Sequence, residues 1–274
     1  MNAREEALKP RVRKRADYTE RRLEKEQKML IKDFSADRAV LEEVLDRSTL
    51  MIIYGFLNKG TIADIYGTVK SGKESRVYWG KASNGEELAI KIYLTVSAEF
   101  KRGMLQYIKG DPRFAHVRGD TRSLVYVWAQ KEFKNLQRMQ DTGIRVPKPV
   151  DVNKNVLIME FIGKNGVPAP ILKDTNLKNP TRVYGQLLRC VKRLYRRSGL
   201  VHADLSEYNV MMWKNQPVVF DVSQSVPVEH PLADQFLRRD LENLNHYFKK
   251  MDVNVSPVEE THRRIVSGKT QRLR

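Results

Sequence analysis

The strongest chemical signal in the chain is HADLSEYN, His202 to Asn209, followed twelve positions later by Asp221 in VVFDV. A carboxylate at Asp204 can take or orient the proton of an attacking hydroxyl. Asn209 and Asp221 add an amide oxygen and a carboxylate, which suit a hard divalent ion that keeps several waters and shares phosphate oxygens. A proton-accepting group beside such a pair is what phosphoryl transfer from a nucleoside triphosphate needs. A helix cap followed by an unrelated strand could carry the same letters, but would not need this spacing.

Two upstream features fit the same chemistry. In LAIKIYL, Leu88, Ile90, Ile92 and Leu94 share one strand face, so Lys91 points to the other. A strand lysine in V-A-I-K context meets the α- and β-phosphates in protein kinases and pairs with a helix glutamate. Glu132 is the best candidate partner, on a helix anchored by Phe133, Leu136 and Met139; Asp141 and Glu99 are alternatives. TVKSGKESRVYWG lies where a protein kinase carries three glycines, and only Gly72 sits in its turn. Ser71, Lys73 and Ser75 offer backbone N–H groups, hydroxyls and a cation that can cradle phosphates.

Positioning these groups requires a sheet and a helical body. Residues 1–47 hold 13 basic and 11 acidic residues and read as a polar extension. From Thr49 apolar clustering begins, and strands are expected over Ile65–Lys70, Ser75–Gly80 and Leu88–Leu94, with NGEE as a hairpin turn. Ser97 to Arg122 lacks a clean period and reads as a mobile loop over about 97–122. A helix is expected at VWAQKEFKNLQRM, a buried strand at Val156–Ile162, and a second helix whose Val183, Leu187, Val191 and Leu194 align. The expected domains are therefore a nucleotide-binding lobe over 48–160, a helical catalytic lobe over 161–250 and a basic segment over 251–274.

The 274 residues carry 50 Lys and Arg against 33 Asp and Glu, a formal charge of +17 that favours polyanions such as RNA. One cysteine, Cys190, excludes an intramolecular disulfide and points to a reducing, cytoplasmic setting. No apolar run is long enough for a membrane span, so no membrane partner is expected.

Taken together, SGKES-VY, LAIKIY, MEFIG, HADLSEYNV, VVFDVSQSV and HPLADQFLRRDLENL resemble the RIO family of atypical protein kinases, over roughly Thr49 to Lys250. YGFLNKGTIADIYGTVKSGKESRVYWG is similar to its type-one branch. The resemblance implies an α+β, trimmed two-lobed protein kinase-like fold, with a small β-rich N-lobe and a mostly helical C-lobe hinged after Met159. It implies ATP with Mg²⁺ or Mn²⁺, Asp204 as catalytic aspartate, Asn209 and Asp221 as metal ligands, and Asp221 as a catalytic group too. Glu160 and Ile162 become the adenine hinge, Met211 the apolar floor, and Val77 and Met159 further nucleotide contacts. It also implies serine phosphorylation including autophosphorylation, ATP hydrolysis through a phosphorylated metal-binding aspartate, and work on the pre-small-subunit ribosome and its rRNA.

Departures from ordinary protein kinases bear on the substrate. Val-Ser-Gln follows Asp221 in place of Phe-Gly, and no A-P-E segment precedes the helix expected near Asp234–Asn243. A protein substrate in trans is therefore less secure than ATP binding. One alternative is an ATP-regulated RNA-binding assembly factor with little kinase activity on other proteins, using Arg189, Lys192, Arg193, Arg196, Arg197 and the tail Arg263–Arg274. Another is a small-molecule kinase, which the SEYN string disfavours. The oligomeric state is left open.

Overall fold

The structure, a computed structural model, describes residues 45–94, 98–114 and 120–267, with the side chains of 98–102 excepted. The polar extension, apart from its last three residues, and the last seven residues lie outside the described residues. The unit that carries the fold starts at Asp46. Its first helix, α1 (Arg47–Asn58), is capped by Asp46, which accepts from the N–H groups of Ser48 (3.0 Å) and Thr49 (3.1 Å) and from the Thr49 hydroxyl (2.7 Å). Such a cap satisfies donors the helix itself cannot.

Three strands follow as the alternation predicts: β1 (Asp64–Ser71), β2 (Ser75–Lys81) and β3 (Glu87–Tyr93). The chain then forms α2 (Ala98–Ile108), a 3₁₀ turn at Pro112–Phe114, α3 (Thr121–Asp141), β4 (Pro149–Asn153) and β5 (Val156–Glu160). The sheet order is β1-β2-β3-β5-β4, with every pairing antiparallel. Lys91 sits opposite Val77 on one side and Leu157 on the other. Ala89 and Tyr93 share its strand face and are buried in the core that also takes Leu136 and Met139 of α3.

The mobile loop expected over about 97–122 is replaced by α2 and the 3₁₀ turn, with 115–119 outside the described residues. Met104, Tyr107 and Ile108 are buried, and their spacing of three and four is one helical face. Gly103 and the basic residues obscure that stripe in the sequence, and Gly110, at φ +91°, marks the end of the helix rather than a loop.

Beyond β5 come the hairpin β6 (Gly163–Lys164) and β7 (Val167–Pro168), a 3₁₀ turn at Leu172–Asp174 and α4 (Pro180–Arg193). A π-turn at Leu194–Ser198 extends α4 and is followed by β8 (Leu200–Val201), β9 (Val210–Trp213), β10 (Gln216–Val219) and β11 (Val226–Pro227). Helices α5 (Ala233–Lys249) and α6 (Val258–Val266) complete the described chain. Val183, Leu187, Val191 and Leu194 are all buried, as their period predicts.

The boundary expected at 251 does not separate the C-terminal segment from the fold. Ile265 of α6 is 2% exposed, His262 Nε2 lies 2.7 Å from Asp234 Oδ1, and Arg238 binds both Asp234 and Glu259. One buried stripe at Thr261, His262 and Ile265 docks α6 on α5, and only Ile265 of the three is apolar.

Candidate active site

Lys91 is the centre of the site. Its ammonium donates to Glu132 Oε1 (3.0 Å) and Oε2 (2.9 Å) and to Asp221 Oδ1 (3.0 Å), while the Tyr93 hydroxyl donates to Glu132. Burial alone would lower the Lys91 ammonium, but Asp221 and Glu132 outweigh it and hold the group well above the usual lysine range. Burial likewise pushes Asp221 up, and Lys91 reverses this, so the carboxylate titrates below its ordinary value. Asp141 lies exposed at the far end of α3, and the side chain of Glu99 is outside the described residues.

Asp204 and Asn209 form a second cluster. Asn209 Nδ2 donates to the Asp204 backbone oxygen (2.8 Å) and to Asp204 Oδ2 (3.0 Å). Burial, then the nearby Asp221 charge, raises the Asp204 carboxyl, and the Asn209 bond opposes them. The loop is held from α5: Asp240 accepts from the N–H of Ala203 (2.9 Å) and Leu205 (2.8 Å), Asn243 donates to Leu205 O (3.1 Å), and Arg239 donates to Ala203 O. Ala203 sits at φ +68°, a conformation that costs a non-glycine residue about 1 kcal/mol or more and persists because these contacts over-determine it. Burial pushes Asp240 up to about 7 even though two N–H bonds oppose it. His202 is fully buried, and burial lowers it to about 4 against the opposing influence of the Asp221 charge and the Phe220 backbone.

The Lys91 cluster and Asn209 open into one cleft of about 480 Å³ between the sheet and the helical part, whereas Asp204 is not among its lining residues. Ser75, Val77, Lys91, Glu132, Met159, Glu160, Ile162, Asn209, Met211 and Asp221 line it. Ser71 and Lys73 stand exposed on the β1–β2 hairpin and are not among the lining residues; Gly72 is. At the hinge, Glu160 takes a two-point bond from Arg145 (2.6 and 2.7 Å). Glu87 accepts from Trp79 Nε1 (2.8 Å) and from the N–H groups of Asn165 (3.0 Å) and Gly166 (3.3 Å), tying the β6–β7 hairpin to the sheet. Gly166 is required there: its φ is +76°, and a Cβ would meet Trp79 at 2.9 Å.

The RIO domain sequence profile matches residues 76–261 of the chain. A serine/threonine-protein kinase RIO1 of Caenorhabditis elegans is 41% identical over 269 residues, covering 97% of this chain and 52% of that protein. The RIO-type serine/threonine-protein kinase Rio1 of Haloferax volcanii is 39% identical over 224 residues, covering 81% of this chain and 76% of that protein. The chain belongs to the RIO family. Its curated relatives place it in the type-one branch, although it spans only about half the length of the Caenorhabditis protein. A crystal structure of the Rio2 kinase from Chaetomium thermophilum, an ADP/Mg²⁺-phosphoaspartate complex, superposes with a TM-score of 0.60 at 18% identity, covering 80% of this chain and 66% of that one. That likeness shows the fold, a protein kinase-like α+β architecture.

Carboxylate, amide and ammonium groups thus meet in one cleft of this RIO fold. Among the described residues no three His, Cys, Asp or Glu side chains converge on a metal position. Asn209 and Asp221 would therefore hold an ion only in part, leaving positions for phosphate and water, which suits a hard divalent cation. Several lining residues escape a sequence reading. Ala89 has a local signal in its place two residues before Lys91, whereas Lys70, Ile171 and Tyr208 come together only through the tertiary fold.

The basic helix face divides into two sets. Arg189, Lys192 and Arg197 are exposed. Arg193, exposed too, donates to Gly143 O (2.8 Å), and the half-buried Arg196 to Ile265 O (2.8 Å) and Arg264 O at the end of α6. Among the described residues no helix is long and apolar enough to cross a membrane.

Proposed function

We propose that the chain transfers the γ-phosphoryl group of ATP to serine hydroxyls, its own included, with a divalent ion held by Asn209 and Asp221. The observation that carries this reading is the joining of Glu132, Lys91 and Asp221 by 2.9–3.0 Å contacts in the cleft that Asn209 also lines. Bound ATP supplies the phosphoryl group, and Mg²⁺ or Mn²⁺ supplies charge that neutralises the triphosphate. Lys91, kept protonated and aimed by Glu132, anchors the α- and β-phosphates. Val77, Ala89, Met159 and Met211 offer an apolar slot for the adenine, with the hinge at Glu160 and Ile162 beside it. Asp204, raised above the ordinary aspartate range, accepts the proton of the acceptor hydroxyl.

Eleven residues, 222–232, separate Asp221 from α5, which leaves little room for a peptide-docking segment. This favours the chain's own serines, or water in an ATPase cycle, over a large set of protein substrates. The exposed Arg189, Lys192 and Arg197 and the charge of +17 favour a second role on RNA, and the family resemblance suggests that this role lies in small-subunit ribosome maturation in the cytoplasm. A crystal structure with ATP and Mg²⁺ tests the reading. An ion bound by Asn209 and Asp221 with phosphates at Lys91 is expected, and a nucleotide outside this cleft overturns it.

A further inference from the structure

Helix α3 presents two more buried polar side chains beside Glu132. Lys131 is 0% exposed; its ammonium donates to Ser223 O (3.0 Å) and Ser225 O and lies 5.8 Å from the centre of the Trp128 ring. Asn135, also 0% exposed, donates to Val222 O (2.8 Å) and Ser225 O (3.1 Å) and accepts from Arg113 Nη1 (2.9 Å). Arg113 is fixed in turn by the fully buried Asp111, Nε to Oδ1 at 2.9 Å and Nη2 to Oδ2 at 2.7 Å.

Three carbonyls of the segment after Asp221 thus accept from α3 side chains, Val222 O accepting from the Ser225 N–H (3.1 Å) as well. An interior lysine bonded only to backbone carbonyls is an expensive way to fill space, since an apolar residue would pack there without desolvating an ammonium. The cost is understandable if the N–H donors themselves are needed. Asp221 supplies the reason: its backbone lies at φ +56°, uncommon for a residue other than glycine and kept only where neighbours over-determine it.

We infer that Lys131 and Asn135, the latter braced by Arg113, form a clamp on Val222–Ser225 that holds Asp221 in its metal-binding position. This rests on the reading of Asp221 as a metal ligand. The three are positioning residues, and their contacts tie α3, which carries Glu132, to the Asp221 loop. The segment Asp111–Phe114 belongs to the same assembly through Arg113.

The test uses the full chain with Lys131→Met, Arg113→Lys and, as a control, Asp221→Asn. Binding of a fluorescent ADP is titrated in EDTA and across a Mg²⁺ series, and amide exchange over Val222–Ser225 is followed in the ligand-free protein. Removing a group that orients a metal ligand changes metal affinity by about 10- to 100-fold. Both clamp variants should bind metal-free nucleotide within about twofold of wild type, need about tenfold more Mg²⁺ for half-saturation and exchange faster over Val222–Ser225. Excess Mg²⁺ should restore turnover, which a general loss of stability would not allow. Unchanged Mg²⁺ dependence and exchange in a folded clamp variant overturn the clamp; if Lys131→Met does not fold, Arg113→Lys decides. If Asp221→Asn keeps the wild-type response to Mg²⁺, the ligand assignment itself fails and the clamp with it.

Discussion

Removing the Lys91 ammonium has a cost that the structure makes calculable. The Lys91 and Glu132 side chains are 8% and 1% exposed and meet through two hydrogen bonds, so breaking the pair from one side strands a buried charge. Such a change costs about 3–5 kcal/mol, whereas exchanging both partners for apolar residues is often close to neutral. Lys91→Met leaves Glu132 with the Tyr93 hydroxyl as its donor and Asp221 as a nearby like charge. Because Lys91 is buried, its removal harms the fold as well as the site. Lys91→Met should lower stability by about 3–5 kcal/mol in urea unfolding, and Glu132→Leu by less, since Lys91 keeps its 3.0 Å contact to Asp221. The double variant should be more stable than Lys91→Met, with a coupling of about 1–2 kcal/mol. All three should lack ATP turnover, which separates the structural role of the pair from its chemical one. The pH dependence has a definite sign. In Lys91→Met the Glu132 carboxyl is raised above its unfolded value without a counter-charge, so stability is present at low pH and lost as pH rises through the folded value. Single costs that simply add, within about 0.5 kcal/mol, would refute the buried pair.

Three further outcomes follow from named residues. Reversing the charge of Arg189, Lys192 and Arg197 should weaken RNA binding and flatten its salt slope by about one unit for each phosphate no longer neutralised, read from affinities over a salt series. Arg196→Ala should instead lower the melting temperature by freeing the end of α6, with the salt slope preserved. Asp240→Asn places an amide N–H against one of the Ala203 and Leu205 donors, costing about 1–3 kcal/mol in denaturant unfolding and slowing turnover through Asp204. Burial, with Arg113 adding to it and Asp111 opposing, lowers Lys131 from 10.5 to about 7. The folded chain then holds fewer protons than the unfolded one between those values, so stability should rise with pH across that window, and Lys131→Met should flatten the rise.

The strands and the chemical residues are legible in the sequence because their signals are local. Alternation around Lys91 fixes its face, and the spacing from His202 to Asp221 gives the loop and the strand behind it. Glu132 stands out because Phe133, Leu136 and Met139 orient its helix. What escapes depends on contacts between distant segments. The burial of Met104, Tyr107 and Phe114 gives α2 and the 3₁₀ turn their place, yet a basic, glycine-bearing stretch shows no clean period. Lys131 reads as one more charged helix residue until Ser223 and Ser225 are brought beside it. Asp240, thirty-six residues after Asp204, gives no local sign that it holds the loop. The basic face reads as uniform because sequence cannot tell an exposed arginine from one, like Arg196, engaged with backbone carbonyls.

The most direct test of the account measures ATP affinity with Mg²⁺ beside single-turnover transfer of radiolabelled phosphate in Asp204→Asn and Asp221→Asn. Asp204→Asn should bind ATP with Mg²⁺ close to wild type and transfer nothing, since it keeps the shape and removes the proton acceptor. Asp221→Asn should lose the metal-dependent part of binding as well as transfer. Normal turnover in Asp204→Asn, or a loss of ATP binding there as complete as in Asp221→Asn, would contradict the roles assigned to the two aspartates.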